Sequence, residues 1–70
     1  MFEAYMNGFY GKIDELIEEL ENDGYEVLEA NGEYIVVGYE EEDEDVQVEL
    51  KLGGTERTIV VTEATEVYRG

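Results

Sequence analysis

Hydrophobic positions along this chain keep one period near the N-terminus and another thereafter, and the change divides the sequence in two. Ile13, Leu16, Ile17 and Leu20 follow i, i+3, i+4, i+7 spacing, which gathers them on one stripe of an α-helix. Asp14, Glu15, Glu18, Glu19 and Glu21 fall mostly on the other side, giving the helix an acidic back. Asn22, Asp23 and Gly24 supply the stop: Gly24 can take the left-handed conformation, and Tyr25 can then close over Leu20 as a Schellman motif does. The same period reaches back through Phe2, Tyr5, Met6 and Phe9, which permits one helix over residues 2–23. Gly8 and Gly11 argue for a break instead, since each costs about 1 kcal/mol relative to Ala in a helix interior.

After Gly24 the period becomes 2. The segments 25–30 and 33–41 flank Asn31-Gly32, the pair that best supplies the two positive φ angles of a type I′ hairpin turn. A two-residue loop there pairs Ala30 with Glu33 and Leu28 with Ile35, so Leu28, Ala30, Ile35, Val37 and Tyr39 share one face. Val46, Val48, Leu50 and Leu52 alternate with Gln47, Glu49 and Lys51, the pattern of a strand covered on one side. Gly53-Gly54 then reads as a second turn, pairing Leu52 with Thr55 and Lys51 with Glu56 and bringing Ile59 and Val61 to the inner face. The tail from Thr62 to Gly70 either extends the last strand or adds a short piece.

These patterns predict a single domain over residues 1–70 of the α+β class, with an N-terminal helix packed on one face of a four-stranded antiparallel β meander. Its core face carries Leu28, Ile35, Val37, Val46, Val48, Leu50, Ile59 and Val61. Its outer face carries Tyr25, Val27, Tyr34, Val36 and Val60, which is too apolar for plain solvent. Either the N-terminal aromatic segment covers that face, or a second copy or another partner does.

Charge changes this picture more than any motif does. Twenty Asp and Glu stand against four Lys and Arg among 70 residues, a formal net charge of -16. Such a surface repels nucleic acid and anionic membrane and attracts basic proteins over a range set by salt. Disorder is disfavoured because 43% of the chain is hydrophobic and those residues fall into clean periods. Glu40, Glu41, Glu42, Asp43, Glu44 and Asp45 form an unbroken acidic run between the second and third strands. With the helix back (Asp14, Glu15, Glu18 and Glu19) and Tyr34 on the outer sheet face, this run makes up the candidate partner-binding surface. A solvated loop that only opposes aggregation is the simpler account of the run taken alone.

Catalytic and cofactor chemistry finds no footing. The chain has no Cys, His or Ser, so it offers no thiolate, no imidazole base and no conventional zinc site, and the Thr hydroxyls lack a base to activate them. The acidic run lacks the turn glycine of an EF-hand loop, and Gly53-Gly54 sits between strands without a following helix or the Lys and Ser of a phosphate loop. No apolar run is long enough to span a membrane, and residues 1–11 lack the basic start of a signal peptide. A cytoplasmic binding protein with no cofactor and no enzymatic activity is the expectation.

In size, acidity and lack of catalytic groups the chain resembles the small phage-encoded DNA-mimic inhibitors: anti-CRISPR proteins, anti-restriction proteins and inhibitors of uracil-DNA glycosylase. These proteins share no fold or motif, and no residue role carries over from them. The resemblance implies stoichiometric inhibition of a basic nucleic-acid-binding protein, in the host cytoplasm if the chain is phage-encoded, by occupying its DNA- or RNA-binding surface. Two other readings compete: a halophilic domain whose acidity serves solubility, and a small homodimeric module that associates through the outer sheet face. Crowded like charge also predicts a domain that gains stability with added salt.

Overall fold

The computed structural model describes residues 2–55 and 57–70. Two helices, α1 (Glu3–Met6) and α2 (Ile13–Asn22), precede four strands: β1 (Glu26–Ala30), β2 (Tyr34–Glu41), β3 (Glu44–Thr55) and β4 (Thr58–Arg69). The strands pair antiparallel in the order β1-β2-β3-β4, so the architecture is the α+β helix-and-meander arrangement the periodicity predicts.

The helical segment breaks at its glycines. Between α1 and α2, Tyr10 leaves the helical path and exchanges two backbone hydrogen bonds with Ile59 on β4. Gly11 N–H donates to the Glu15 carboxylate at 3.0 Å, so an acidic first-turn residue satisfies a donor ahead of α2. The other end of α2 closes as the sequence predicts. Gly24 has φ +96°, its N–H donates to the Glu21 carbonyl, and Tyr25 N–H donates to the Leu20 carbonyl. Those two bonds are the Schellman pair.

Leu16 and Leu20 from α2 lie fully buried against Ile35, Val37, Val46 and Leu50 on the sheet, and Phe2, Tyr5, Tyr10, Val48 and Val61 complete the core. Phe2, Tyr5, Tyr25 and Tyr39 form an aromatic cluster over the end of the sheet nearest the acidic run, with neighbouring ring centroids 5.1–6.3 Å apart. The tail resolves as strand: β4 continues to Arg69, and Gly70 exchanges two backbone hydrogen bonds with Asp45.

Both predicted turns are displaced. Ala30 pairs with Ile35, not Glu33, and neither Asn31 nor Gly32 has positive φ. The Asn31 side chain instead accepts the N–H groups of Glu33 (2.8 Å) and Tyr34 (3.0 Å), a local alternative to the type I′ turn that lengthens the loop. Leu28 is an extra residue in β1: Val27 pairs with Val37 and Glu29 with Val36. This bulge turns Val27 and Tyr25 toward the core and throws Leu28 to the outer face, the reverse of the predicted assignment. Gly53 and Gly54 lie within the β3–β4 ladder, opposite Val60 and Ile59, and the ladder runs on to Thr55 and Thr58. Leu52 therefore pairs with Val61 and Lys51 with Glu63; the predicted Lys51–Glu56 pair falls on a residue outside those described. Ile59 and Val61 do reach the core side.

Candidate functional site

The acidic run is a hairpin end, not an open loop. Glu40 pairs with Asp45 and Glu41 with Glu44 as the last rungs of β2–β3, leaving Glu42 and Asp43 as a two-residue connection. Their φ values are +50° and +68°, so the left-handed pair of a type I′ turn is made by two acidic residues. Strand alternation divides the run between faces. Glu41 and Glu44 project on the helix side, like their neighbours Tyr39 and Val46, whereas Glu40 and Asp45 project on the outer side.

Among the described residues, one cationic side chain serves this end on the helix side. Arg69 reaches from the end of β4 to donate two hydrogen bonds to Glu66 Oε1 (2.9 and 2.6 Å) and lies 3.7 Å from Glu44. The Glu66 carboxylate, with Glu41 and Glu44 behind it, raises the guanidinium further above its ordinary pKa. Arg69, Glu66 and Glu41 line a cleft of about 340 Å³ with Phe2, Met6 and Tyr39. Glu41 Oε2 is buried there and has no hydrogen-bond partner among the described residues. Burial, and then the Glu41 charge, raises the Tyr39 phenol above its ordinary pKa.

The helix contributes a second acidic row. Asp14, Glu15, Glu18 and Glu19 are all exposed on α2. Asp14 and Glu15 sit at its N-terminus, where the dipole welcomes them and Glu15 has its backbone partner. Glu19 and Glu21 sit in the last turn, where the dipole opposes them and no basic residue compensates. That last turn leads through Gly24 into β1, whose first residue pairs with Gly38, three positions short of Glu41. The topology thus brings the C-terminal acids of α2 to the same end of the molecule as the hairpin acids.

Tyr34 is not part of that end. It begins β2, seven residues from Glu41, or roughly 23 Å at the strand rise of ~3.3 Å. It stands on the outer face, where its hydroxyl donates to Glu29 at 3.1 Å; that bond raises its pKa. Sequence reasoning missed Arg69 and Glu66, because their place depends on β4 running its full length. It also missed Leu28 and Tyr68, whose outer-face positions depend on bulges in β1 and β4.

Among the described residues no group of three Asp or Glu is close enough to hold a metal ion, and no helix is long and apolar enough to cross a membrane. Compared with protein-family models, curated proteins and solved structures, the chain matches none.

Proposed function

We propose that this protein binds a basic nucleic-acid-binding protein through the acidic end of its β2–β3 hairpin and the adjoining acidic face of α2, and so competes with nucleic acid for that surface. One observation carries the reading. Local rules of stability are broken three times at this end: carboxylates oppose each other at Glu40–Asp45 and Glu41–Glu44, two non-glycine residues hold positive φ, and acids occupy the negative end of α2. Folding alone favours none of these choices, and violations gathered in one place are the mark of a surface kept for a partner.

The chemistry suits such a target. Proteins that bind nucleic acid place Lys and Arg to neutralise phosphates, and a folded array of carboxylates can engage those same side chains. The proposed outcome is stoichiometric inhibition in the manner of the DNA-mimic inhibitors. The test is affinity capture from cells of the source, using the native protein and a Glu41, Glu42, Asp43 and Glu44 to Lys variant. A nucleic-acid-binding protein that is retained by the native chain, lost by the variant and displaced by duplex DNA is the expected result. Capture indifferent to the reversal, or a partner that holds DNA and this protein together, would reject it. A chain that folds only in molar salt would assign the acidity to solubility instead.

A further inference from the structure

The outer sheet face carries a groove of about 510 Å³ beside the hairpin end, open to solvent and built by the β1 bulge. One wall is Leu28, thrown outward by that bulge and laid over Gly38; a Cβ placed on Gly38 would meet its Cδ1 at 3.1 Å. The other wall is Tyr68, which stands opposite Gln47 on the same face and runs along β4, so that a Cβ placed on Gly70 would meet its hydroxyl at 2.8 Å. Both walls are about half exposed. Leu28 lies over β2 and Tyr68 stands on β4, two strand spacings away, or about 9.5 Å, with Gln47 of β3 between them as the floor. A flat group in van der Waals contact with both sides needs roughly 7–8 Å.

Three carboxylates rim this groove. Glu26 and Glu40 flank Gly38 along the outer face, and Asp45 lies across from Glu40. Among the described residues none of these side chains makes an ion pair or a hydrogen bond. Nor are they gathered tightly enough for a metal ion. A slot with one aliphatic and one aromatic wall, a polar floor at Gln47 and dispersed, uncompensated negative charge is complementary to a bulky, planar cation. Guanidinium has that form: it stacks on aromatic faces, sheds water readily and presents five donors in a plane, whereas an ammonium is compact and strongly hydrated.

We infer that this groove seats an arginine side chain of the basic partner. The inference rests on the function proposed above and adds a preference to it: the partner is held at this point by arginine rather than by positive charge in general.

Oligoarginine and oligolysine peptides of equal length, titrated calorimetrically into the protein, test it. The native chain should bind oligoarginine about fivefold more tightly. Tyr68→Ala should erase that preference while leaving the oligolysine affinity unchanged, which also shows that the variant is folded, and Tyr68→Phe should keep it. Equal affinities in the native chain, or a preference that survives Tyr68→Ala, would overturn the groove and leave the acidic surface standing. Binding of neither peptide would overturn both. Concentration-dependent sedimentation abolished by Tyr68→Ala would give the groove to a second copy of this chain and overturn the arginine seat.

Discussion

Glu41 and Glu44 face each other directly across the last rung of the β2–β3 hairpin, both on the side of the sheet that carries the helices. Like charges so placed repel, and among the described residues Arg69 is the cationic side chain that reaches them, 3.7 Å from Glu44 and hydrogen-bonded to Glu66. Arg69→Met should lower the melting temperature at ~0.01 M salt, where the Debye length is ~30 Å, and leave it nearly unchanged at ~1 M, where it is ~3 Å. The exposure of the pairs makes the effect electrostatic and screenable. Thermal melts of both proteins across that range check it; a loss that persists in high salt would mean Arg69 acts through packing.

The connection between those strands offers the converse experiment. Glu42 and Asp43 hold φ of +50° and +68°, a conformation that Asn and Gly adopt at lower cost. Glu42→Asn with Asp43→Gly should stabilise the fold by about 1 kcal/mol, with the gain retained at high salt because its origin is the backbone. The same double change should weaken the proposed partner interaction. Urea midpoints read the first effect and competition with duplex DNA reads the second; a gain in stability confined to low salt would assign it to charge removal.

Much of the fold was legible because it depends on period. The stripe of Ile13, Leu16, Ile17 and Leu20 needs burial on one side, and Gly24 ends the helix by its own conformational freedom, so both follow from local chemistry. Inner-face residues of β3 are equally plain, since Val46, Val48 and Leu50 alternate without interruption. What sequence misplaces is register. Asn31-Gly32 and Gly53-Gly54 are strong turn signals, yet Asn31 spends its side chain on two backbone donors and Gly54 serves inside a ladder. The sharp turn falls on Glu42-Asp43, which propensity alone would not choose. Bulges at Leu28, Thr62 and Val67 carry no sequence signature of their own. The acidic residues of the candidate surface could therefore be named from the chain, whereas the positions of Arg69 and the Leu28–Tyr68 groove could not.

Alkaline pH should unfold the protein through its tyrosines. Tyr5 is buried and donates its hydroxyl hydrogen bond to Asp23, which ties α1 to the end of α2. Burial first, and then that carboxylate, push its pKa upward; burial does the same for Tyr10 and Tyr39. An unfolded phenol loses its proton near pH ~10 while the native one keeps it, so above that pH the native state binds more protons. Stability is then full below pH ~10 and falls as pH rises beyond it. Tyr5→Phe should cost about 1–2 kcal/mol at neutral pH through the lost bond to a charged acceptor, and should make the alkaline decline shallower. Urea unfolding of both proteins from neutral to strongly alkaline pH checks the slope; parallel declines would remove Tyr5 from the cause.

The paired glycines of β3 should separate sharply, because only one of them is irreplaceable. Gly54 has φ +111°, and a Cβ there would stand 2.1 Å from the Thr58 carbonyl oxygen, a backbone atom held by the ladder. Gly53 lacks positive φ, and its Cβ would meet Thr62 Cγ2 at 2.9 Å, a side-chain methyl on a bulged residue. Thr62 can turn away at the expense of its hydroxyl bond to the Lys51 carbonyl. Gly54→Ala should thus cost about 3 kcal/mol or more, enough to unfold much of a chain this small, while Gly53→Ala costs about 1 kcal/mol. Were the two residues the tip of a turn, as local sequence suggests, the costs would be similar. Circular dichroism melts of the two variants decide between these arrangements, since equal losses are incompatible with Gly54 lying in the ladder opposite Ile59.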